Sequence, residues 1–334
     1  MASLQLATQA MATRFELVLH GPRPTALRSA GEEAIAEIQR LDAALSVHQP
    51  GSEIAALNRD AARHPVRVSP EVFHLLQRAV LLSQVTGGAF DITVGPLLQA
   101  WGFVRGSGHL PEPAQLEQAR AAIGPAQLVF HPDEYTVEFA HPSTRIDLGS
   151  IGKGYALDRA TDFLREAGVT RALVHGGTST AVALGTPEDA EAWKIAIAPP
   201  VSSGDSLELQ PPRPSPSSSP APWPAPPPLQ PLAVVALHDE SLSVSAVWGK
   251  GFSADGRYYG HVIDPRTGQP TQGAVLAAMI DASATVSDAL STALLLRGSE
   301  LIDLLRQAKA PCRCLVATPT ADPPGYQLDS LGIP

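Results

Sequence analysis

The stretch "TVSDALSTALL", residues 285–295, combines one acid with several hydroxyl groups. Asp288 and Thr292 are four residues apart, so they share one face of a predicted helix, and Ser291 is adjacent. Hard oxygen ligands of this kind suit Mg²⁺ or Ca²⁺ better than a soft metal. An ordinary helix with Asp288 in its first turn, where an acid favours the helix dipole, explains the same residues.

The stretch "IDLGSIGKGYALDRA", residues 146–160, is a glycine-rich turn with one lysine between two aspartates. It is not a P-loop, because the glycine spacing is too short and no hydroxyl residue follows Lys153. Backbone donors at Gly149, Ser150, Gly152 and Gly154, with the Lys153 charge, could bind an anion at a helix N-terminus. The alternative is a plain strand-to-helix turn in which Asp147 is the N-cap.

The stretch "GHVIDPRTGQP", residues 260–270, places a histidine after a predicted strand. His261 could accept a proton near neutral pH. A structural histidine is the alternative, and the Asp264-Pro265 turn needs no function.

Two glycine-containing stretches could approach a ligand closely. "GGAFDITVGPLLQAWGF", residues 87–103, brings Phe90, Asp91 and Trp101 together. An aromatic ring there could stack on a flat ligand, or the stretch could be a loop packed in the core. "HGGTST", residues 175–180, follows a strand and equally fits a simple turn.

The bulk composition excludes some classes of protein. The 334 residues are 44% hydrophobic and 17% charged, with a net charge of −9 and no basic run, so we expect no nucleic-acid partner. We also expect no transmembrane segment, because no apolar run reaches about 18 residues. Cys312 and Cys314 suit a packing role, being poorly placed for a mutual disulfide. Without a visible signal peptide or lipobox we expect a cytoplasmic protein, or an extracytoplasmic one if the start is misassigned.

Helical and strand patterns mix without strict alternation, which predicts an α+β fold in a single domain spanning residues 1–334. We predict helices over 26–46, 71–86, 154–167, 284–296 and 299–308, and strands over 13–20, 128–139 (a hairpin), 171–175, 193–198, 232–238, 275–282 and 312–318. Residues 205–231 are predicted to be a disordered insertion, proline-rich over 211–231, that loops out between two strands.

Taken in order, these stretches together with "MATRFELVLHG" and "SEIAALN" resemble the ApbE family of FAD:protein FMN transferases, from Met11 to about Gly298. The resemblance implies an ApbE-like (T-fold-like) fold of mixed sheets with flanking helices. It implies Mg²⁺-dependent transfer of FMN from FAD, the substrate, to a threonine hydroxyl of an acceptor flavoprotein, with release of AMP. The acceptor would carry a short threonine-containing flavinylation motif.

The resemblance also implies roles for individual residues. Catalysis would involve His261, as the base for the threonine proton, and Asp288. The metal ligands would be Asp288, Ser291, Thr292 and a backbone oxygen at Ser150. The residues in contact with FAD would be Met11, His48, Ala89, Phe90, Asp91, Asp147, Lys153, Val262 and Ile263. Thr178 stands where family members commonly have an acid.

Three other functions compete with transfer. Hydrolysis of FAD to FMN and AMP would use the same site residues with water as acceptor. Thr178 favours a protein that binds FAD without transfer. The proline-rich segment favours a scaffold that recruits partners.

Overall fold

The computed structural model describes residues 2–104, 106, 108–199, 230–320 and 325–334. Residues 205–229 of the predicted proline-rich insertion therefore lie outside the described residues. The strands are β1 (Ala2–Ala10), β2 (Thr13–Gly21), β3 (Val66–Arg67), β4 (Leu128–His131), β5 (Thr136–Phe139), β6 (Arg171–Gly176), β7 (Thr180–Leu184), β8 (Trp193–Ile197), β9 (Ala233–Leu237), β10 (Ser241–Ala246), β11 (Gly251–Ala254), β12 (Arg257–Gly260), β13 (Ile263–Asp264), β14 (Gln269–Pro270), β15 (Leu276–Asp281), β16 (Arg313–Pro319) and β17 (Tyr326–Leu331).

The helices are α1 (Pro24–Leu45), α2 (Glu53–Asp60), α3 (Pro70–Val85), α4 (Gly95–Ala100), α5 (Pro113–Ala121), α6 (Gly152–Glu166), α7 (Ala284–Arg297) and α8 (Ser299–Gln307), with a 3₁₀ turn at Pro125–Gln127. All five predicted helices are present, with ends that differ from the prediction by at most two residues. The predicted strands are also present, so the α+β prediction is confirmed.

An antiparallel sheet of eight strands, in the order β1-β2-β6-β7-β10-β15-β16-β17, forms the centre of the fold. Helices α1, α6 and α7 pack together over this sheet. Fully buried side chains such as Leu17 on β2 and Leu41 on α1 belong to the same core. Each such side chain contributes about 1.5–3 kcal/mol relative to an exposed one.

The β8–β9 ribbon contributes to a second apolar cluster with side chains of the central strands. Strand β7, in the middle of the sheet, is consequently buried at every residue. Such strands lack the apolar–polar alternation of a half-exposed strand, and β7 was not predicted. Ile197 pairs with Ala233, so the two ends of the ribbon strands that flank the insertion lie side by side.

Two further expectations concern the cysteines and the membrane. Cys312 and Cys314 are both free thiols, and burial raises the pKa of Cys314 to about 12. Across the described ranges, no helix combines the length and apolar character needed to traverse a bilayer.

Candidate active site

The glycine-rich turn that leads into the first residues of α6 is held by its own side chains. Oδ1 of Asp147 accepts a hydrogen bond from Gly149 N at 2.8 Å. Nζ of Lys153 donates to the carbonyl oxygen of Gly149 at 3.0 Å. The N-cap of α6 is Ile151, so the alternative in which Asp147 caps the helix is wrong.

Backbone amides of this turn already have partners in the protein. Besides the amide of Gly149, that of Gly152 donates to Leu148 O at 2.8 Å and that of Gly154 donates to Asp288 Oδ2 at 3.0 Å. The interpretation of these three amides as an anion cradle is therefore wrong. The fourth predicted donor belongs to Ser150, which lines the cavity, and the ammonium group of Lys153 is also available to an anion.

Asp288 connects α7 to this turn although it lies 134 residues from Gly154 in sequence. Its carboxylate is buried, and its Oδ1 lies 3.9 Å from Nζ of Lys153. Asp288 is the fifth residue of α7, so the alternative that places it in the first turn is wrong. A buried carboxylate needs compensating partners, and here an amide and an ammonium supply them.

A row of serine pairs fixes α7 against β10. The Oγ atom of Ser287 lies 2.9 Å from that of Ser241 and 3.0 Å from that of Ser243, and Ser291 Oγ lies 2.8 Å from Ser245 Oγ. Alternate residues of a strand meet residues one turn apart on a helix. The alternating serines of "SLSVSA" were the sequence signal for β10, and sequence reasoning missed it.

The two hydroxyl residues predicted near Asp288 occupy different places. Thr292 lines a cavity together with Asp288, and its Oγ1 lies 3.1 Å from the Oγ of Ser245, which also lines it. Ser291 is fully buried, and its hydroxyl donates to the Asp288 carbonyl at 2.9 Å. Ser291 thus lies behind the cavity wall, and Ser245 presents a hydroxyl in the cavity.

His261 directly follows β12 and lines the same cavity. Its Nδ1 lies 3.1 Å from the carbonyl oxygen of Lys250. Because a carbonyl can only accept, Nδ1 carries the proton, and Nε2 of a neutral ring is left as an acceptor. Burial lowers the pKa of His261, which favours this neutral form.

The predicted run of residues 89–91 is divided between cavity and core. Ala89 and Asp91 line the cavity, whereas Phe90 is buried among core side chains. Burial raises the pKa of Asp91, and hydrogen bonds from Thr93 N and Oγ1, at 2.8 and 2.7 Å, oppose the rise.

Trp101 is a core residue, so the interpretation in which its ring stacks on a ligand is wrong. Its ring is stacked on that of Tyr259 with centroids 5.5 Å apart, and its Nε1 donates to Gly268 O at 2.9 Å. The contact holds the β11–β12 hairpin close to α4 and supports the segment that carries His261.

Two cavities meet at the glycine-rich turn. The larger has a volume of about 410 Å³ and the smaller about 250 Å³. Asp147, Gly149 and Lys153 line both. The other predicted residues that line the larger cavity are Ala89, Asp91, Ser150, His261, Val262, Ile263, Asp288 and Thr292. Met11 and His48 line the smaller one.

Met11 lies in an unusual backbone conformation at the smaller cavity. It and Ala12 form the two-residue turn between β1 and β2, with φ values of 49° and 57°. Glycine or asparagine normally occupies such a turn. The Met11 amide donates to Asp42 Oδ1 at 2.9 Å. Strain of this kind is often found at binding sites.

The larger cavity is acidic apart from one lysine. Asp91, Asp147 and Asp288 line it, against Lys153. Within the described ranges, no three histidine, cysteine, aspartate or glutamate side chains are grouped as in a typical metal centre. Around Asp288 the available donors are hydroxyl oxygens, which fit a hard cation that retains other oxygen ligands.

Comparison with known proteins decides the family. A family model described as the ApbE family matches residues 11–316. The chain belongs to the ApbE family. A Klebsiella pneumoniae protein named FAD:protein FMN transferase is 29% identical over 236 residues, which are 70% of this chain and 64% of that protein. A Vibrio cholerae protein of the same name is 27% identical, over 79% of this chain and 72% of that protein.

Solved ApbE structures share this fold. The ApbE protein of Thermotoga maritima superposes with a TM-score of 0.81 at 24% identity, covering 98% of this chain and 96% of that one. The match with the Klebsiella relative spans slightly less than two thirds of that relative's length. In this ApbE chain Thr178 is exposed and lines the larger cavity, so a neutral hydroxyl stands where an acid was expected.

Proposed function

We propose that this chain transfers FMN from FAD to a threonine hydroxyl of an acceptor flavoprotein and releases AMP, with Mg²⁺ as the metal. One observation carries the proposal: two cavities share a wall that contains Lys153, and Asp288 and His261 line the larger cavity. FAD has two ring systems joined by a pyrophosphate. A wall that carries an ammonium group between two cavities matches that shape.

Asp288 and Thr292 would hold the metal, together with the main-chain oxygen of Ser150. Ser291 would support this set from behind through its hydrogen bond with Ser245. When bound, Mg²⁺ would offset the negative charge that develops on the pyrophosphate oxygens. Lys153 would bind the pyrophosphate from the wall common to both cavities.

His261 would accept the proton of the threonine hydroxyl on Nε2. A hydroxyl is a weak nucleophile without such a base. Its oxygen forms a bond to the phosphorus of the FMN half, the bond from that phosphorus to the bridging oxygen breaks, and AMP leaves with that oxygen. The proton passes to the imidazole, so charge and atoms balance.

Remaining contacts would orient the substrate. We assign Ala89, Asp91, Val262 and Ile263 to the part of FAD in the larger cavity, and Met11 and His48 to the part in the smaller one. Asp147 would lie between the two parts. Phe90 would contribute indirectly, by packing in the core that supports Ala89 and Asp91.

The test is an incubation of purified protein with FAD and an acceptor domain that contains a threonine motif, with and without Mg²⁺. We expect Mg²⁺-dependent AMP release with FMN covalently attached to the acceptor. Asp288→Ala should abolish both products, whereas Asp303→Asn, at an exposed acid on α8, should retain them. Free FMN in place of the adduct would indicate hydrolysis. FAD that remains intact under all conditions would refute the enzymatic proposal.

A further inference from the structure

Helices α6 and α7 approach each other without room for a side chain beside Asp288. A Cβ atom on Gly154 would lie 2.1 Å from the carbonyl oxygen of Ala284 and 2.8 Å from Cβ of Asp288. The Gly154 amide also donates to the Asp288 carboxylate. The position of that carboxylate therefore depends on how closely α7 lies against α6.

Asp158, one turn beyond Gly154 on α6, binds the start of α7. Its Oδ1 accepts from Ala284 N at 2.7 Å. Its Oδ2 accepts from Ser283 Oγ at 2.7 Å, from Thr285 N at 2.9 Å and from Thr285 Oγ1 at 2.6 Å. A carboxylate at this point satisfies amides that the helix leaves unpaired and lies at the positive end of its dipole.

A second helix holds the same point from another side. Nη2 of Arg78, on α3, donates to the Ser283 hydroxyl at 3.0 Å. The body of α7 is meanwhile held on β10 by the serine pairs described above. The N-terminus of α7 is thus fixed between α6 and α3, and Asp288 lies one turn beyond Thr285.

We infer that Asp158 is a positioning residue for metal binding by this protein. It sets the distance and register of α7 relative to α6, so that Asp288 and Thr292 face the cavity together. A helix moves as a rigid unit over one turn, so a shift at Ala284 is passed on to Asp288. The inference rests on the proposed function, because it takes these two residues as metal ligands.

The substitution Asp158→Asn tests this inference with little change in size. If the oxygen of the new side chain takes the place of Oδ2, its NH₂ group takes the place of Oδ1 and faces the backbone N–H of Ala284. Two donors then meet, and the hydrogen bond from the Ala284 N–H is lost. Asp162→Asn is the matched control, because Asp162 lies one turn further along α6 and, among the described residues, pairs with the half-buried Arg159 and the exposed Arg165 rather than with α7.

The measurement is Mn²⁺ binding to the full chain, followed by electron paramagnetic resonance, with Mn²⁺ in place of Mg²⁺. We expect Asp158→Asn to weaken binding by about 10- to 100-fold, the range for residues that orient metal ligands. Asp162→Asn should bind as the wild type does. In the transferase assay, Asp158→Asn should need more Mg²⁺ yet approach the wild-type rate at saturation.

A destabilised control separates positioning from stability. Leu301→Ala removes a buried side chain on α8 and should lower the melting temperature without weakening Mn²⁺ binding. The inference is overturned if Asp158→Asn binds Mn²⁺ like the wild type, or if Leu301→Ala weakens binding equally. Absence of Mn²⁺ binding by the wild type overturns the metal part of the proposed function, and this inference with it.

Discussion

Substitution of Gly154 by alanine should separate α6 from α7 at the candidate active site. Gly154 has helical backbone geometry, so alanine is allowed there by its own conformation. The obstacle is the neighbouring helix, because the new Cβ would lie 2.1 Å from the carbonyl oxygen of Ala284. Ordinary contact begins at 3.4 Å, so α7 or α6 must move.

Three free-energy terms decide the outcome. Alanine favours a helix over glycine by at most about 1 kcal/mol. Overpacking a close contact costs about 1–3 kcal/mol. The hydrogen bond from the Gly154 amide to the buried carboxylate of Asp288 is worth about 1.5–3 kcal/mol and is strained or lost when the helices part. We therefore expect the free energy of unfolding to fall by about 1.5–5 kcal/mol, since the two unfavourable terms together exceed the propensity gain of about 1 kcal/mol.

The matched control is Gly152→Ala in the same helix. A Cβ on Gly152 would meet only Cβ of Leu148, at 3.9 Å, so the same chemical change should be neutral or stabilising. Urea unfolding of both variants measures the difference, and Mn²⁺ titration shows whether Asp288 has moved. If Gly154→Ala unfolds at the same urea concentration as Gly152→Ala and binds Mn²⁺ normally, the close helix contact does not control this site.

Three other substitutions or conditions test separate parts of the site. Burial lowers the pKa of His261 below its ordinary 6.5, so the imidazole is neutral above pH 6.5. We expect kcat/KM to be independent of pH above 6.5 and to fall only in more acidic solution. A fall that begins above pH 6.5 would contradict this. Lys153→Met should weaken FAD binding by about tenfold or more in a fluorescence titration, because a hydrogen bond from a charged group is worth about 1.5–3 kcal/mol. The control substitution Lys194→Met, at an exposed lysine, should leave FAD binding unchanged. Trp101→Phe leaves the Gly268 carbonyl without its donor and should cost about 1–3 kcal/mol in urea unfolding; unchanged stability would show that this hydrogen bond is not needed.

Local patterns predicted the helices better than the central strands. Helix α1 carries its buried side chains at helical spacing, so its face toward the core was visible in the sequence. Strand β1 alternates exposed and half-buried residues, a signal that was present but not used. Strand β7 could not be recognised in this way, because it is buried on both faces. The alternating serines of β10, which face α7, were also a signal that was present but not used.

The motifs identified the residues of the site but not which of them lie at its surface. Asp288 and Thr292 share a face of α7, as their spacing predicted, and both line the larger cavity. Ser291 and Phe90 belong to the same motifs, yet their side chains are buried behind the wall. Their placement depends on the elements packed against them, which a motif does not specify.

The sequence by itself determined the family, the helices and the glycine-rich turn, because each depends on neighbouring residues and short spacings. Tertiary structure alone decided that the turn meets Asp288, that Asp158 binds the start of α7, and that the lysine lies between two cavities. The contacts of Gly154 with Asp288 and of Asp158 with Ala284 join residues more than 120 positions apart. They form only when the antiparallel sheet brings β10 and β15 beneath α7, because the packing of the whole sheet sets the distance between the helices.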